Sequence, residues 1–263
     1  MKAYAKINLA LVVGPIRPDG KHEVTTVLQR IALADDVTLQ PARALRVTGF
    51  EDDTLVRSAL ERLAEAAGVS PAWAVRIEKR IPVAAGLGGG SSDAAAALRL
   101  ANDSLDEPLS ADALHRIAAD IGADVPFFLT QGPQLAQGDG TELTPLDLPQ
   151  HYTVLVAVPA NEAKESTAAV YAAFDERDGA AGYDERRARL MAALAAGDLA
   201  RLPRNDLAAS PLSAELRRLG AVRADVSGAG PAVYALFDDP DRAAGARAQI
   251  EPLGRVWVGP PAW

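Results

Sequence analysis

The sequence predicts an α+β fold, and three observations support this prediction. Segments typical of strands and of helices are mixed, without the regular strand–helix–strand rhythm of a doubly wound parallel sheet. Some segments are rich in Val, Ile, Leu and Thr and are bounded by turn residues, as strands are. Others repeat apolar residues every three or four positions, as amphipathic helices do. The 263 residues suffice for two modest domains or one large one, and we expect two, at 1–148 and 149–263.

The first half of the chain begins with strands, predicted at 5–13, 24–32 and 36–41. A helix is predicted at 53–67, because its apolar positions share one face and Gly68 can cap its C-terminus. Alternation of Trp73, Val75 and Ile77 with other residues predicts a half-buried strand. Helices are predicted next at 93–101 and 110–121, and the segment from Gly122 to Leu143 is expected to form a loop, a short strand and a turn.

The second half of the chain is also predicted to contain both strands and helices. Strands are expected at 152–158, 224–227, 232–237 and 255–258, and helices at 165–174, 184–196, 214–219 and 242–250. Internal repeats and low-complexity linkers are not found in the sequence.

The composition excludes several classes of function. A net charge of −8 argues against a general nucleic-acid or anionic-membrane surface. Because the chain has no cysteine, disulfides, thiolate metal sites and a cysteine nucleophile are excluded. The three histidines, at 22, 115 and 151, are too scattered to predict a histidine metal site. The short apolar run near the N-terminus is interpreted as a strand rather than a signal peptide, so we expect a cytoplasmic protein.

The segment IPVAAGLGGGSSDAAAAL, residues 81–98, is the most informative stretch. Four glycines at 86, 88, 89 and 90 let backbone N–H groups approach a polyanion, and a helix N-terminus follows. Ser91 or Ser92 is expected to cap that helix, and the Ser92 hydroxyl is a candidate Mg²⁺ ligand. The segment is neither a Walker A loop nor a dinucleotide fingerprint nor a GxSxG elbow. The alternative interpretation is a flexible turn before a capped helix.

The same segment closely resembles the second motif of the GHMP kinases. AKINLALVVGPIRPDGKHEVTTVLQRIAL, GADVPFFL, STAAVY, RNDL and VSGAGPAVYALF resemble further motifs of one branch of that superfamily, in the same order and over nearly the whole chain. The resemblance implies a two-domain α+β GHMP kinase fold with the active site in the cleft between the domains. It also implies transfer of the ATP γ-phosphate, with Mg²⁺, to the 2-hydroxyl of a cytidine-diphosphate-linked methylerythritol in the non-mevalonate route to isoprenoids.

The resemblance also implies catalytic residues. Asp124 in GADVPFF corresponds to the catalytic base, and Lys6 in AKINL to its partner. The chemistry is consistent, because a partly desolvated aspartate can accept the alcohol proton while a lysine keeps it ionised and stabilises the transferring phosphoryl group. The glycine loop supplies the implied ATP-binding residues Pro82, Val83, Ala84, Ala85, Gly86, Leu87, Gly88, Gly89, Gly90, Ser91 and Ser92.

The implied substrate-binding residues are Asn8, Lys21, His22, Tyr171, Ser227 and Gly228. Asn8 shares a strand face with Lys6, because alternate residues of a strand point the same way. The branch usually has D-G-Y-H where this chain has Asp19-Gly20-Lys21-His22, so a lysine replaces one aromatic wall of the base site. Asn205 and Asp206 are interpreted as bracing the site without a catalytic role.

Two alternatives to this function stay open at the level of the sequence. One is another GHMP small-molecule kinase with a different alcohol substrate, which the change at Lys21 favours and the GADVPFF segment disfavours. The other is a non-catalytic nucleotide-binding regulator, which would be expected to have lost Lys6 or Asp124. For a kinase, whichever alcohol is its substrate, we expect ATP and Mg²⁺ as cofactors and a small-molecule substrate. We also expect no nucleic-acid or membrane partner, and a monomer or homodimer.

Overall fold

The computed structural model describes residues 1–50, 54–160 and 166–262. Within these ranges the strands are β1 (Lys2–Ile16), β2 (His22–Pro41), β3 (Arg46–Thr48), β4 (Trp73–Glu78), β5 (Gln134–Gln137), β6 (Glu142–Pro145), β7 (Thr153–Pro159), β8 (Arg223–Val226), β9 (Val233–Phe237) and β10 (Gly254–Gly259). The α-helices are α1 (Leu55–Ala67), α2 (Gly89–Asp103), α3 (Ala111–Ile121), α4 (Val125–Leu129), α5 (Thr167–Glu176), α6 (Tyr183–Ala195), α7 (Pro211–Arg218) and α8 (Pro240–Ile250). The ladder between β3 and β4 is parallel, whereas β2–β4, β2–β5, β5–β6, β7–β9, β8–β9 and β7–β10 are antiparallel. The α+β class is confirmed.

The first of two compact units is built from Met1–Ala5, Leu33–Val83 and Gly88–Gln131. In this unit the C-terminal half of β2 pairs with β4, and β4 pairs with β3. The helix α1 packs on α2 and buries the apolar stripe that its periodicity predicted. The two helices approach closely, because a Cβ at Gly90 would lie only 3.2 Å from the Leu55 Cδ1.

The second unit comprises Lys6–Ala32, Ala84–Leu87 and the chain from Gly132 onward. Its sheet has the order β10-β7-β9-β8, and α7 and α8 pack on it. The buried Arg223 on β8 and Tyr234 on β9 each donate a 2.7 Å hydrogen bond to the Leu9 carbonyl oxygen of β1. These two bonds fix the N-terminal strand to a part of the sheet that lies more than 200 residues later in the chain.

The observed elements differ from the predicted ones near a buried aspartate. Two strands were predicted around the ALAD segment, but β2 runs through it without a break. The Asp35 side chain is fully buried, and its Oδ1 accepts hydrogen bonds from the N–H groups of Arg80 (2.5 Å) and Ile81 (2.8 Å). An aspartate that satisfies neighbouring backbone donors has no need of solvent, so it does not mark a turn here.

Two further segments were assigned wrongly. GADVPFFL, predicted as loop, contains α4, whose first turn holds Pro126 at a position where the missing N–H costs nothing. The strand β3 was not predicted, since three residues are too few for a periodic pattern. The first residues of the predicted helices at 53–67 and 165–174 lie outside the described residues.

Two expectations concern the chain as a whole. Among the described residues, none of the helices has the length and apolar character that crossing a bilayer requires. The domain division at 148/149 stays a prediction, and both of these residues lie in the second compact unit.

Candidate active site

The strand β1 carries two polar side chains into the interior of the second unit. Lys6 and Asn8 are 4% and 5% exposed, although lysine is almost never buried without a partner. The Lys6 Nζ donates a 2.7 Å hydrogen bond to the Asn8 Oδ1, and the Asn8 Nδ2 donates to the Thr26 Oγ1 at 2.8 Å. The two side chains share one face of the strand, as the alternation predicted, and the ammonium group is held in a defined position.

The middle of the glycine loop, residues 84–87, belongs to the same unit and lies beside this pair. The Lys6 N–H donates to the Leu87 carbonyl oxygen at 2.9 Å, and the Ser227 hydroxyl donates to the Gly86 carbonyl oxygen at 2.9 Å. A Cβ placed on Gly228 would lie 3.6 Å from the Lys6 Nζ. The structure therefore brings Lys6, Ser227 and Gly228 together with this part of the loop.

Three residues of the loop have left-handed backbone conformations. The φ angles are +61° at Ala84, +82° at Gly86 and +68° at Gly88. Gly86 is constrained a second time, because a Cβ there would lie 2.2 Å from the Ser227 carbonyl oxygen. The loop thus has a defined shape, and glycine is required at Gly86 both for the backbone angle and for the close approach of another backbone.

The helix α2 begins at Gly89, earlier than the predicted start at Asp93, and its N-cap is Gly88. The expectation that Ser91 or Ser92 would cap it is wrong, since among the described residues no side chain makes the capping hydrogen bond. The Ser92 N–H already donates to the Gly88 carbonyl oxygen, at 2.9 Å. A first turn made of glycine and serine without a side-chain cap leaves N–H groups for an anion.

Ala84 offers a test of strain in the loop. An L-residue in the left-handed region costs roughly 1–2 kcal/mol, and glycine avoids that cost while losing more backbone entropy on folding. We expect Ala84→Gly to raise the free energy of unfolding by about 0.5–1 kcal/mol, measured by urea denaturation. The neighbouring Ala85 is 2% exposed and has no left-handed φ, so Ala85→Gly should lower stability. Equal losses in both variants would contradict the assignment of strain to Ala84.

A buried charged cluster that was not predicted from the sequence lies at the base of the loop. The Lys79 Nζ donates to Asp35 at 2.5 Å and to Asp93 at 2.7 Å, and both carboxylates are at most 1% exposed. Burial alone would lower the pKa of Lys79, but the hydrogen bonds and charges of the two aspartates outweigh it and raise that pKa above its ordinary value. Since Asp35 also holds the N–H groups of residues 80 and 81, the cluster ties the chain before the loop to α2 after it. The three residues are distant in sequence, so no local motif marked them.

Asp124, the predicted base, belongs to the first unit. It is the N-cap residue of α4, has ordinary helical backbone angles (φ −82°, ψ −17°) and is half-buried. The residues that follow it, Val125 to Phe128, are buried. Asp124 is therefore half-buried and directly precedes a buried apolar segment, and its role as the base stays a prediction.

The residues expected at the cytidine end form an aromatic cluster in the second unit. The His22 and Tyr171 rings stack, with centroids 4.9 Å apart and an interplanar angle of 27°, and Phe174 meets His22 edge-on at 5.7 Å. The His22 Nδ1 lies 2.9 Å from the Gly14 carbonyl oxygen, and its Nε2 lies 3.3 Å from the Asp175 carboxylate. The structure thus brings His22 and Tyr171 into contact with each other.

Lys21 is paired elsewhere. Its Nζ lies 2.6 Å from the Asp139 Oδ2, and the lysine side chain is 59% exposed. Burial opposes ionisation of Asp139, but hydrogen bonds from Lys21 and Thr141 lower the pKa of that carboxyl to about 2. Above that pH the pair is ionic, and it links the turn between β1 and β2 to the turn between β5 and β6.

Lys21→Tyr tests what the lysine contributes to substrate binding. Base stacking is typically worth about 1–3 kcal/mol, whereas an exposed ion pair is worth about 0–1 kcal/mol. We expect Lys21→Tyr to keep or improve kcat/KM for a cytidine-linked substrate, and its KM to rise less with salt than the KM of the parent. The measurement is KM at low and high ionic strength in both proteins. A loss of activity of more than about tenfold would mean that the pocket is built around the Lys21–Asp139 pair.

The comparisons with known proteins define a class. The chain matches the family model of the GHMP kinases N terminal domain over residues 54–132 and that of the GHMP kinases C terminal domain over residues 210–253. The homoserine kinase of Cytophaga hutchinsonii shares the fold, with a TM-score of 0.72 at 17% identity over 97% of this chain and 94% of that chain. Fold and matched domains together are those of an ATP-dependent small-molecule kinase of the GHMP superfamily.

More similar relatives narrow the class. The chain is 39% identical to the 4-diphosphocytidyl-2-C-methyl-D-erythritol kinase of Nocardia farcinica, over 97% of this chain and 90% of that protein. It is 37% identical to the enzyme of that name from Symbiobacterium thermophilum, over 98% of both. A crystal structure of 4-(cytidine 5'-diphospho)-2C-methyl-D-erythritol kinase matches with a TM-score of 0.82 at 31% identity, covering 100% of this chain and 99% of that one. The chain belongs to the 4-diphosphocytidyl-2-C-methyl-D-erythritol kinase family.

Proposed function

We propose that the chain transfers the γ-phosphate of ATP to the 2-hydroxyl of 4-diphosphocytidyl-2-C-methyl-D-erythritol, in the non-mevalonate route to isoprenoid precursors. The similarity of nearly the whole chain to kinases of that name supports this substrate over other alcohols. The presence of both Lys6 and Asp124 speaks against a non-catalytic regulator.

The observation that carries the proposal is the buried Lys6 beside the glycine loop. Its Nζ is fixed by Asn8 at 2.7 Å, and its N–H is bonded to Leu87 of the loop at 2.9 Å. A cation in a site with little water interacts strongly with charge that develops during reaction. Because the lysine lies beside a loop that we propose to bind phosphate, a role in phosphoryl transfer explains its burial better than a structural role does.

In the proposed step, Asp124 accepts the proton of the substrate 2-hydroxyl. The resulting oxygen nucleophile forms a bond to the γ-phosphorus of ATP while the bond from that phosphorus to the β–γ bridging oxygen breaks, and ADP leaves. Lys6 stabilises the negative charge on the transferring group, and Asn8 orients both the lysine and the alcohol.

Pro82 to Ser92 are proposed to hold the nucleotide. Gly86 and Gly88 have left-handed φ angles, and the first turn of α2 has no side-chain cap, so we propose that backbone N–H groups of these segments receive phosphate oxygens. Among the described residues there is no group of three or more His, Asp or Glu side chains that could hold a metal. A single hydroxyl at Ser92 nevertheless fits Mg²⁺, which commonly keeps its waters and binds mainly through substrate phosphates. Bound Mg²⁺ would neutralise phosphate charge during transfer.

The cytidine end is proposed to bind at His22 and Tyr171, with Lys21 at the rim and Gly228 near the reacting alcohol. The stacked rings offer one aromatic surface, and the flexible lysine stem offers a second, weaker surface for the base.

The net charge of −8 supports a protein without nucleic-acid partners, and we propose a cytoplasmic monomer or homodimer.

A coupled ADP-release assay tests the proposal. The purified protein is offered ATP and Mg²⁺ with the cytidine-linked substrate, homoserine, mevalonate or galactose in parallel. We expect turnover with the cytidine-linked alcohol and background rates with the other three. Faster turnover of any other alcohol would replace the proposed substrate, and ATP binding without turnover of any of them would favour a regulator.

A further inference from the structure

We propose that the Ser227 hydroxyl is a positioning group that acts on Lys6 through Asn8, and not a substrate ligand. The inference rests on the proposed function, because it assigns a task within the same site. Ser227 is fully buried, with 0% of its surface exposed. Its N–H donates to the Ala232 carbonyl oxygen at 2.9 Å, and its own carbonyl oxygen accepts from the Gly230 N–H at 3.0 Å. Neither backbone group is left for a substrate.

The hydroxyl is committed as well. A serine hydroxyl has one proton to donate and can accept through its oxygen. The Ser227 Oγ donates to the Gly86 carbonyl oxygen at 2.9 Å and accepts from the Asn8 N–H at 3.3 Å. The Asn8 Oδ1, at 3.5 Å from the Oγ, is too distant to compete for the proton. One side chain thus joins the strand β1 to the glycine loop.

Asn8 passes this restraint to the lysine. Its N–H is held by Ser227, its Nδ2 is held by Thr26 at 2.8 Å, and its Oδ1 accepts the Lys6 ammonium at 2.7 Å. With both the backbone and the amide fixed, the amide oxygen has one orientation, and so has the Nζ that it binds. Removing the Ser227 hydroxyl releases the backbone N–H of Asn8 and leaves the carbonyl oxygen of the half-buried Gly86 without that donor.

Asn205 keeps Ser227 itself in place. Its Nδ2 donates to the Val226 carbonyl oxygen at 3.0 Å and to the Gly228 carbonyl oxygen at 2.6 Å, the residues on either side of Ser227. Its Oδ1 accepts from the Leu207 N–H at 2.8 Å. Because the Asn205 amide bonds to both neighbours of Ser227, the turn is held rigidly, as expected for a structural turn rather than for a mobile binding loop.

The test compares Ser227→Ala with Ser213→Ala. Ser213 is a second buried serine of the same unit, 5% exposed, and its Oγ has no hydrogen-bond partner among the described residues. Each substitution is then made in the parent and in the Asn8→Ala background, with kcat and the KM values for ATP and the alcohol measured separately. We expect Ser227→Ala to lower parental kcat by about 10- to 30-fold with the alcohol KM within about threefold, and to lower kcat less than about threefold once Asn8 is already alanine. Ser213→Ala should leave all constants unchanged.

A second readout needs no substrate. Hydrogen exchange of the Asn8 backbone N–H, followed by NMR in the ligand-free protein, should be about tenfold or more faster in Ser227→Ala and unchanged in Ser213→Ala. The proposal is overturned if the Asn8 backbone N–H exchanges at the parental rate in Ser227→Ala. It is also overturned if Ser227→Ala mainly raises the alcohol KM, or if its effect on kcat is the same in both backgrounds. Absence of turnover in the parent, with the exchange result as expected, would count against the proposed function and leave the positioning role supported.

Discussion

Replacing Asp124 by asparagine is expected to lower kcat by about 10²- to 10⁴-fold, the usual range for loss of a general base. Asparagine keeps the shape of the side chain but cannot accept the proton of the alcohol. Asp124 is half-buried, and among the described residues its side chain makes no capping bond to α4, so α4 should form in the variant as it does in the parent. The dissociation constant of ATP, measured by calorimetric titration, should change little.

Asp120 provides the matched control for this variant. It lies near the end of α3 in the same unit, is 66% exposed, and contacts Arg62 at 3.4 Å. An exposed pair of this kind contributes little, so Asp120→Asn should keep kcat within about twofold of the parent. If Asp124→Asn retains more than about a third of the parental turnover, Asp124 is not the base.

Replacing Gly86 by alanine is expected to weaken ATP binding at least about tenfold and to lower the melting temperature. The added Cβ would lie 2.2 Å from the Ser227 carbonyl oxygen, and that oxygen already accepts the Gly230 N–H. The Cβ is attached directly to the backbone and the oxygen belongs to the backbone, so no side-chain rotation can relieve the contact, and the loop has to move away from the turn that contains Ser227. The left-handed φ of +82° adds a smaller cost of its own.

Gly132→Ala separates the two causes. Gly132 has a similar φ of +69°, but a Cβ there would meet nothing within 4 Å. The Gly132→Ala variant therefore has the conformational cost of a left-handed alanine without a steric clash, and its affinity for ATP should equal that of the parent. Calorimetry that shows unchanged ATP binding in Gly86→Ala would remove this part of the loop from the phosphate site.

Much of the fold could be predicted because the signals are local. The apolar stripe of α1 and the alternation along β4 depend only on residues a few positions apart. Errors occurred where tertiary contacts decide. Asp35 looks like a turn residue until the N–H groups of Arg80 and Ile81, 45 and 46 residues away, are brought to its carboxylate.

The candidate site shows the same division. Strand alternation was enough to place Lys6 and Asn8 on one face. The glycine-rich composition predicts a phosphate loop, which stays a prediction, and it could not give the φ angles of the loop or the start of α2. The Lys79 cluster and the burial of Ser227 could not be predicted, because each depends on groups from distant segments. The assignment of individual catalytic roles stays a prediction until the variants are measured.

The bond from Asn8 to Ser227 has a consequence for how the enzyme is made. The two residues are 219 positions apart, and at translation rates of 5–20 residues per second the second follows the first by about 11 to 44 s. During that interval the N-terminal strand has left the ribosome without the residues that will enclose its lysine. Exposed strand segments of this kind are prone to pair wrongly, so molecular chaperones have a long window in which to act. A nascent chain that terminates before Ser227 cannot assemble the buried lysine site, which ties the onset of kinase activity to near-complete synthesis.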